Sequence, residues 1–132
     1  MQKKTEKELN QPLIEAMKLH EFYQGKIEMN LKCPVRSYQD FAIWYTPGVA
    51  EVCKAIVRDS MLSYEFTNRW NTVAVVSNGT RVLGLGNIGP EAAMPVMEGK
   101  ALLFRYLGGV DSWPLCLKTQ NTTELIQIVQ SL

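Results

Sequence analysis

The stretch TVAVVSNGTRVLGLGNIGPEAAMPVMEGKALLFRY, Thr72–Tyr106, decides the fold. Thr72-Val-Ala-Val-Val76 is a continuous β-branched, apolar run. Such a run marks a strand covered on both faces. Asn78-Gly79 is a turn signal, and Arg81-Val-Leu-Gly-Leu85 reads as a short second strand. From about Glu91 to Tyr106 the pattern turns helical, with Pro90 and Pro95 near its start. Trp113-Pro-Leu-Cys-Leu-Lys118 follows as another short strand. Asn121 and Glu124 form an Asn-x-x-Glu cap for a last helix carrying Leu125, Ile128, Val129 and Leu132.

Upstream, residues 1–8 read as a polar tail and Gln11–Gln24 as a helix. Asn10 is its N-cap, Pro12 lies in its first turn and Gly25 is its stop. Residues 26–40 read as a connecting loop. Thr46-Pro47 opens a second helix with Val49, Val52, Cys53, Ile56 and Val57 on one face. Tyr64 and Phe66 belong to a short element of undefined type. The order α-α-β-β-α-β-α predicts an α/β fold: a small, partly parallel sheet flanked by helices and preceded by an N-terminal helical segment. The helical pattern is still running at Leu132, as it would in a cut chain.

With 132 residues, 46% of them hydrophobic, the chain makes one domain with a core. Fourteen basic and thirteen acidic residues leave a net charge of +1, so there is no basic stripe for nucleic acid. No apolar run reaches the ~18 residues of a membrane helix. The charged start MQKKTEKELN lacks the apolar segment of a secretory signal, which makes the cytoplasm the default compartment. Cys33, Cys53 and Cys116 are too scattered for a zinc or redox pair and read as reduced thiols packed as small hydrophobes. His20, the only histidine, makes a soft metal site within this chain unexpected.

Four features carry possible chemistry. Gly84-Leu-Gly86-Asn-Ile-Gly89 matches the GxGxxG form of a dinucleotide loop. Pro90 and Glu91, however, put the helix start after the glycines rather than within them. Asp111 precedes the next strand, where the fingerprint places an acid at that strand's end. The rival reading is a tight turn that lets backbone approach a small ligand. Lys100 has Val96, Met97, Leu103 and Phe104 as its helical neighbours. Desolvation there suits a lysine to act as a base; alternatively its stem packs while its head reaches water. Tyr45, ahead of Thr46-Pro47-Gly48, either presents its hydroxyl to a cleft beside an anion-favouring helix start or packs as an aromatic staple. Arg81 either clamps a carboxylate with its forked donors or is simply solvated.

Taken together, Tyr45-Thr-Pro-Gly-Val-Ala50, Asn71-Thr-Val-Ala-Val-Val-Ser-Asn-Gly79, Val82-Leu-Gly-Leu-Gly-Asn-Ile-Gly-Pro90 and Met94-Pro-Val-Met-Glu-Gly-Lys-Ala-Leu-Leu-Phe104 closely resemble the N-terminal domain of the malic enzyme family, most closely its short prokaryotic branch. The resemblance covers roughly residues 15–132. It implies oxidative decarboxylation of malate to pyruvate and carbon dioxide, with NAD or NADP reduced and Mg²⁺ or Mn²⁺ stabilising the enolate. It assigns Tyr45 as general acid and Lys100 as general base, with Arg81, Thr46 and Gly84 on the substrate side. It also places GLGNIG in the substrate-side domain rather than in the cofactor fold. Residues 1–132 then form one substrate-side domain. The metal ligands and the cofactor-binding residues lie downstream of Leu132, in a C-terminal nucleotide-binding domain that this chain lacks. The implied partners are malate or pyruvate, that domain, and a second copy in a homodimer. Malolactic-type decarboxylation uses a similar scaffold and stays open. So do a non-catalytic dimerisation or binding module and a small nucleotide-binding domain. The 132 residues alone are expected to be inactive.

Overall fold

The computed structural model describes the chain from Glu6, with side chains from Gln11 onward. Eight regular elements follow one another. Helix α1 is Glu6–Tyr23, α2 is Phe41–Trp44, α3 is Val49–Arg58 and α4 is Leu62–Phe66. Strand β1 is Thr72–Ser77, helix α5 Gly89–Gly108, strand β2 Asp111–Cys116 and helix α6 Thr122–Gln130. The α/β class and the small sheet stand as expected. The chain divides into two compact units, one of residues 1–28 and 74–132, the other of residues 29–73. Among the described residues no helix is long and apolar enough to cross a membrane.

The first unit is built on β1, α5 and β2. The two strands pair with each other in a parallel sheet. Their C-terminal ends run on together, with the Leu117 N–H donating to Ser77 O at 2.8 Å. Helix α5 packs against β2 and buries Ala93, Met97 and Ala101, one residue per turn. Small alanines in such a stripe let a helix lie close to its neighbour, and Met97 adds the largest buried side chain of the stripe. The helix stops at Gly109, which takes a left-handed φ of 66° and returns its N–H to Arg105 O. That geometry costs glycine little and closes the last turn. Asp111, beginning β2, is held by Arg105 at 2.8 Å. Pro114 within β2 has no N–H to give, so its ring nitrogen belongs on the unpaired edge. The Asn121 cap is present: its side-chain oxygen accepts from the N–H groups of Thr123 and Glu124 at 2.9 and 3.3 Å.

Several expectations are corrected. Helix α1 begins by Glu6, so Asn10 lies inside it and not at its cap; residues 1–5 of the expected polar tail lie outside the described residues. The second strand expected at Arg81–Leu85 is absent, replaced by a folded-back turn. Period-two apolar residues are too few there to choose a strand over a turn, and the glycines favour the turn. Strand β1 is not covered on both faces, since Val73 remains 40% exposed. Strand β2 starts two residues earlier than expected.

In the second unit, two short helices stand where one was expected to begin. Helix α2 ends at Trp44, and α3 starts at Val49 rather than at Thr46-Pro47. Ahead of α2, the Asp40 carboxylate accepts from the N–H groups of Arg36 and Ser37 at 2.7 and 2.9 Å. The Trp44 indole donates to Pro34 O at 3.1 Å. Helix α4 turns Tyr64 under the Arg69 guanidinium, 4.6 Å from the ring centroid. The apolar stripe of α3 is largely uncovered, with Val57 88% exposed. Cys53 on that stripe is also exposed, against the expectation of a packed thiol.

Candidate functional site

Tyr45 and Thr46 lie in the second unit; Arg81, Gly84 and Lys100 lie in the first. Each group is built by a tight corner of backbone.

The corner at Tyr45 joins α2 to α3. Tyr45 caps α2 with its N–H on Phe41 O at 2.8 Å, and its own carbonyl accepts the Val49 N–H at 2.8 Å. The Thr46–Pro47 peptide is cis. Gly48 then folds back so far that its N–H reaches Ala42 O at 2.8 Å. A side-chain carbon on Gly48 would lie 2.7 Å from both Ala42 O and Ile43 O, so only glycine fits. Tyr45, gripped at both backbone ends, is left with its side chain 69% exposed, and Thr46 is exposed beside it. An aromatic staple would be covered, so the staple reading fails within this unit. The expected anion-favouring helix start is corrected as well. The N–H groups of Val49, Ala50 and Glu51 are already used by the carbonyls of Tyr45, Pro47 and Gly48.

The corner in the first unit is the segment from Asn78 to Gly89. The Asn78 side chain accepts from the Thr80 N–H and hydroxyl at 3.2 and 2.7 Å. Val82, only 2% exposed, plugs the turn into the core. Its N–H donates to Gly86 O at 2.9 Å, and the Leu85 N–H donates to Val82 O at 3.0 Å. The far end closes on the near end, where the Ile88 N–H donates to Gly79 O at 3.0 Å. Gly79 is buried with φ 71°, and a side-chain carbon there would lie 2.0 Å from Gly89 O. Gly84, by contrast, is exposed with nothing within 4 Å of where a side chain would begin. The fold therefore dictates glycine at Gly79 but leaves Gly84 free for another reason.

Arg81 protrudes from this turn, exposed. Lys100 stands on α5 one residue before buried Ala101, and it too is exposed. Its expected desolvation is thus not supplied by its own helix. Leu103 and Phe104 are themselves half-exposed, and only Met97 of its four apolar neighbours is buried. Among the described residues no hydrogen bond or ion pair engages Arg81 or Lys100. Both cations are available to a ligand.

The glycine-rich turn does not have the dinucleotide-loop geometry. Six residues separate Ser77, the end of β1, from Gly84, and α5 begins only at Gly89. The expected misplacement of Asp111 also stands, because it opens β2 and is bound to Arg105. Burial, and then the nearby Glu91 carboxylate, push the Cys116 thiol above its usual value, which favours the protonated form. Among the described residues no three His, Cys, Asp or Glu side chains could hold a metal ion together.

Gly79 and Val82, which shape the turn, carry a weak sequence signal. Asn78-Gly79 announces a turn but not the contact with Gly89 that makes the glycine obligatory. Gly48 was similarly legible only as part of a motif.

The chain matches the family model described as malic enzyme, N-terminal domain, over residues 24–129. It is 59% identical over 108 residues to an NAD-dependent malic enzyme of Geobacillus stearothermophilus, covering 82% of this chain and 23% of that protein. It is 51% identical over 118 residues to a bifunctional malic/malolactic enzyme of Bacillus subtilis, covering 89% of this chain and 29% of that protein. Its structure is similar to that of an NAD-dependent malic enzyme from Thermotoga maritima, with TM-score 0.85, 48% identity, and coverage of 89% of this chain and 31% of the other. The chain thus spans less than a third of the length of each of these proteins.

Proposed function

We infer the function from one premise: this chain belongs to the malic enzyme family and carries that family's N-terminal domain. On that premise the chain is the substrate-side part of an enzyme that converts malate to pyruvate and carbon dioxide with NAD or NADP. What carries the reading is the coincidence of motif and geometry. The same four segments that resemble the family lie on a scaffold with TM-score 0.85 to one of its members, and Tyr45 and Lys100 within them are exposed.

In this reading the Arg81 guanidinium clamps a malate carboxylate, while Gly84 and Thr46 let the substrate close on backbone and hydroxyl. Lys100 takes the proton of the C2 hydroxyl as the C2 hydrogen departs as hydride. The nicotinamide, when bound, supplies the hydride acceptor. The resulting β-keto acid breaks its bond to the neighbouring carboxyl, and the electron pair remains as an enolate. The Tyr45 phenol gives its proton to C3; solvent then reprotonates the phenolate and takes the proton Lys100 holds, so atoms and charge balance. Among the described residues no three His, Cys, Asp or Glu side chains form a metal site. The full assembly is a homodimer in the cytoplasm, with metal ligands and a nucleotide-binding domain supplied by sequence outside residues 1–132.

A second reading has a specific support: the Bacillus subtilis relative is named as both malic and malolactic. Incubating the full-length polypeptide with malate and each nucleotide, and assaying pyruvate, lactate and reduced nucleotide, separates the readings. Pyruvate matched by reduced nucleotide supports the oxidative reaction. Lactate without net reduction supports the malolactic one. Consumption of no malate under any condition overturns both.

A further inference from the structure

The turn that follows β1 places one residue where its backbone is least suited. Between Asn78 and Pro90 the residues with a positive φ are Gly79 at 71°, Gly86 at 74°, Gly89 at 79° and Leu83 at 50°. Glycine takes that backbone at little cost. Leucine does not, because its Cβ crowds the following carbonyl oxygen. Its neighbour Gly84 has a φ outside the left-handed range. The Leu85 N–H donates to Val82 O at 3.0 Å, closing a four-residue turn with Leu83 and Gly84 at its centre. A turn whose first central residue alone has a positive φ favours glycine at that residue. Here the order is reversed: leucine stands where the turn favours glycine, and glycine stands where the turn needs none.

Burial does not explain the leucine. Leu83 is 76% exposed, and the residue that anchors the turn in the core is Val82. Leu85, on the other side of Gly84 in the chain, is 68% exposed. The strained residue therefore serves something outside the fold of this unit. We propose that Leu83 determines specificity for the substrate, covering the apolar part of the ligand whose carboxylate Arg81 takes. This rests on the malate reading above. Malate has one apolar carbon, the C3 methylene. A leucine side chain against it excludes water and leaves a hydroxyl on C3 without a hydrogen-bond partner, so 2,3-dihydroxy dicarboxylates are disfavoured. The left-handed backbone fixes the approach of that side chain and leaves Gly84 bare beside it. Stability is given up for this arrangement.

The test compares the full-length polypeptide with its Leu83→Asn and Leu83→Met variants. Denaturant unfolding is measured beside malate KM and kcat and the inhibition constant of tartrate, a 2,3-dihydroxy dicarboxylate. Asparagine tolerates the left-handed region and carries a polar side chain. In Leu83→Asn the folding equilibrium constant should rise about three- to tenfold as strain is released. Malate KM should rise roughly tenfold, and the ratio of tartrate inhibition constant to malate KM should fall by a similar factor. Leu83→Met keeps an unbranched apolar side chain and should stay within about twofold of the parent in every quantity. A Leu83→Asn protein that is no more stable than the parent, or does not fold, overturns the proposal. So does a parent-like malate KM or tartrate ratio in that variant, or a tenfold loss in Leu83→Met. A parent that consumes no malate refutes the reaction reading itself. An active parent with an unchanged KM in Leu83→Asn refutes only the role of Leu83.

Discussion

Substituting alanine at Gly79 and at Gly84 in turn separates what the fold demands from what a ligand demands. At Gly79 the new carbon would lie 2.0 Å from Gly89 O and 2.2 Å from Gly89 C. Backbone must move, since neither atom is the end of a flexible side chain. The left-handed φ of 71° adds ~1–2 kcal/mol for a residue with a side chain. Overpacking adds ~1–3 kcal/mol, and loss of the Ile88 N–H bond to Gly79 O adds ~1 kcal/mol. The sum is roughly 3–6 kcal/mol, a large share of a domain's ~5–15 kcal/mol. At Gly84 nothing lies within 4 Å and φ is not in the left-handed region, so the fold should change by less than ~0.5 kcal/mol. Denaturant unfolding measures the first quantity, and malate KM with kcat in the full-length enzyme measures the second. Gly79→Ala should unfold early or fail to fold. Gly84→Ala should unfold with the parent yet bind malate at least ~10-fold more weakly, because its methyl group occupies the substrate's approach. Parent-like stability of Gly79→Ala would refute the closure of the turn on Gly89. Parent-like KM in Gly84→Ala would refute its place beside the substrate.

Two further outcomes follow from the packing and the charges. Met97→Ala removes the largest buried side chain of the α5 stripe (4% exposed) and should cost ~2–5 kcal/mol in denaturant unfolding, with Lys100 left in place. The Asp40 carboxyl is held below its usual value of 3.8 by the N–H groups of Arg36 and then of Ser37. A lowered folded value means its contribution is present above that usual value and is lost as pH falls through the folded one. Exchange protection of those two amides should therefore persist down through the usual carboxyl value and be lost only at lower pH, and Asp40→Ala should lack it throughout.

Periodicity and turn chemistry carried much of the fold. Thr72–Val76 read as a strand because five successive β-branched or small apolar residues have few other uses, and α5 and α6 read as helices from their spacing and caps. The misreadings share a physical cause. Arg81–Leu85 has strand-like residues, but burial of Val82 and closure of Gly79 on Gly89 are contacts between residues distant in sequence. The split of α2 from α3 depends on Gly48 fitting under the Ala42 and Ile43 carbonyls, which no propensity registers. Position within the site was equally mixed. The helix start expected after the glycines lies at Gly89, the last of them, two residues earlier than Glu91, and it is the six residues between β1 and Gly84 that depart from a dinucleotide loop. The apolar neighbours of Lys100 admit either a desolvated base or a packed stem with its head in water, and with Leu103 and Phe104 half-exposed its own helix does not cover it. Amphipathic spacing tells which residues share a face, not whether that face is covered. The roles of Tyr45 and Lys100 came from motif resemblance and were not legible in any periodicity.

The central claim is that Lys100 and Tyr45 perform the proton transfers. Malate-dependent nucleotide reduction by the full-length enzyme, compared with its Lys100→Ala and Tyr45→Phe variants at matched folding, tests it most directly. A loss of ~10²–10⁴-fold in kcat for each, with far-ultraviolet circular dichroism unchanged, is the expected result. A folded Lys100→Ala enzyme that reduces nucleotide at the parent rate would contradict the account.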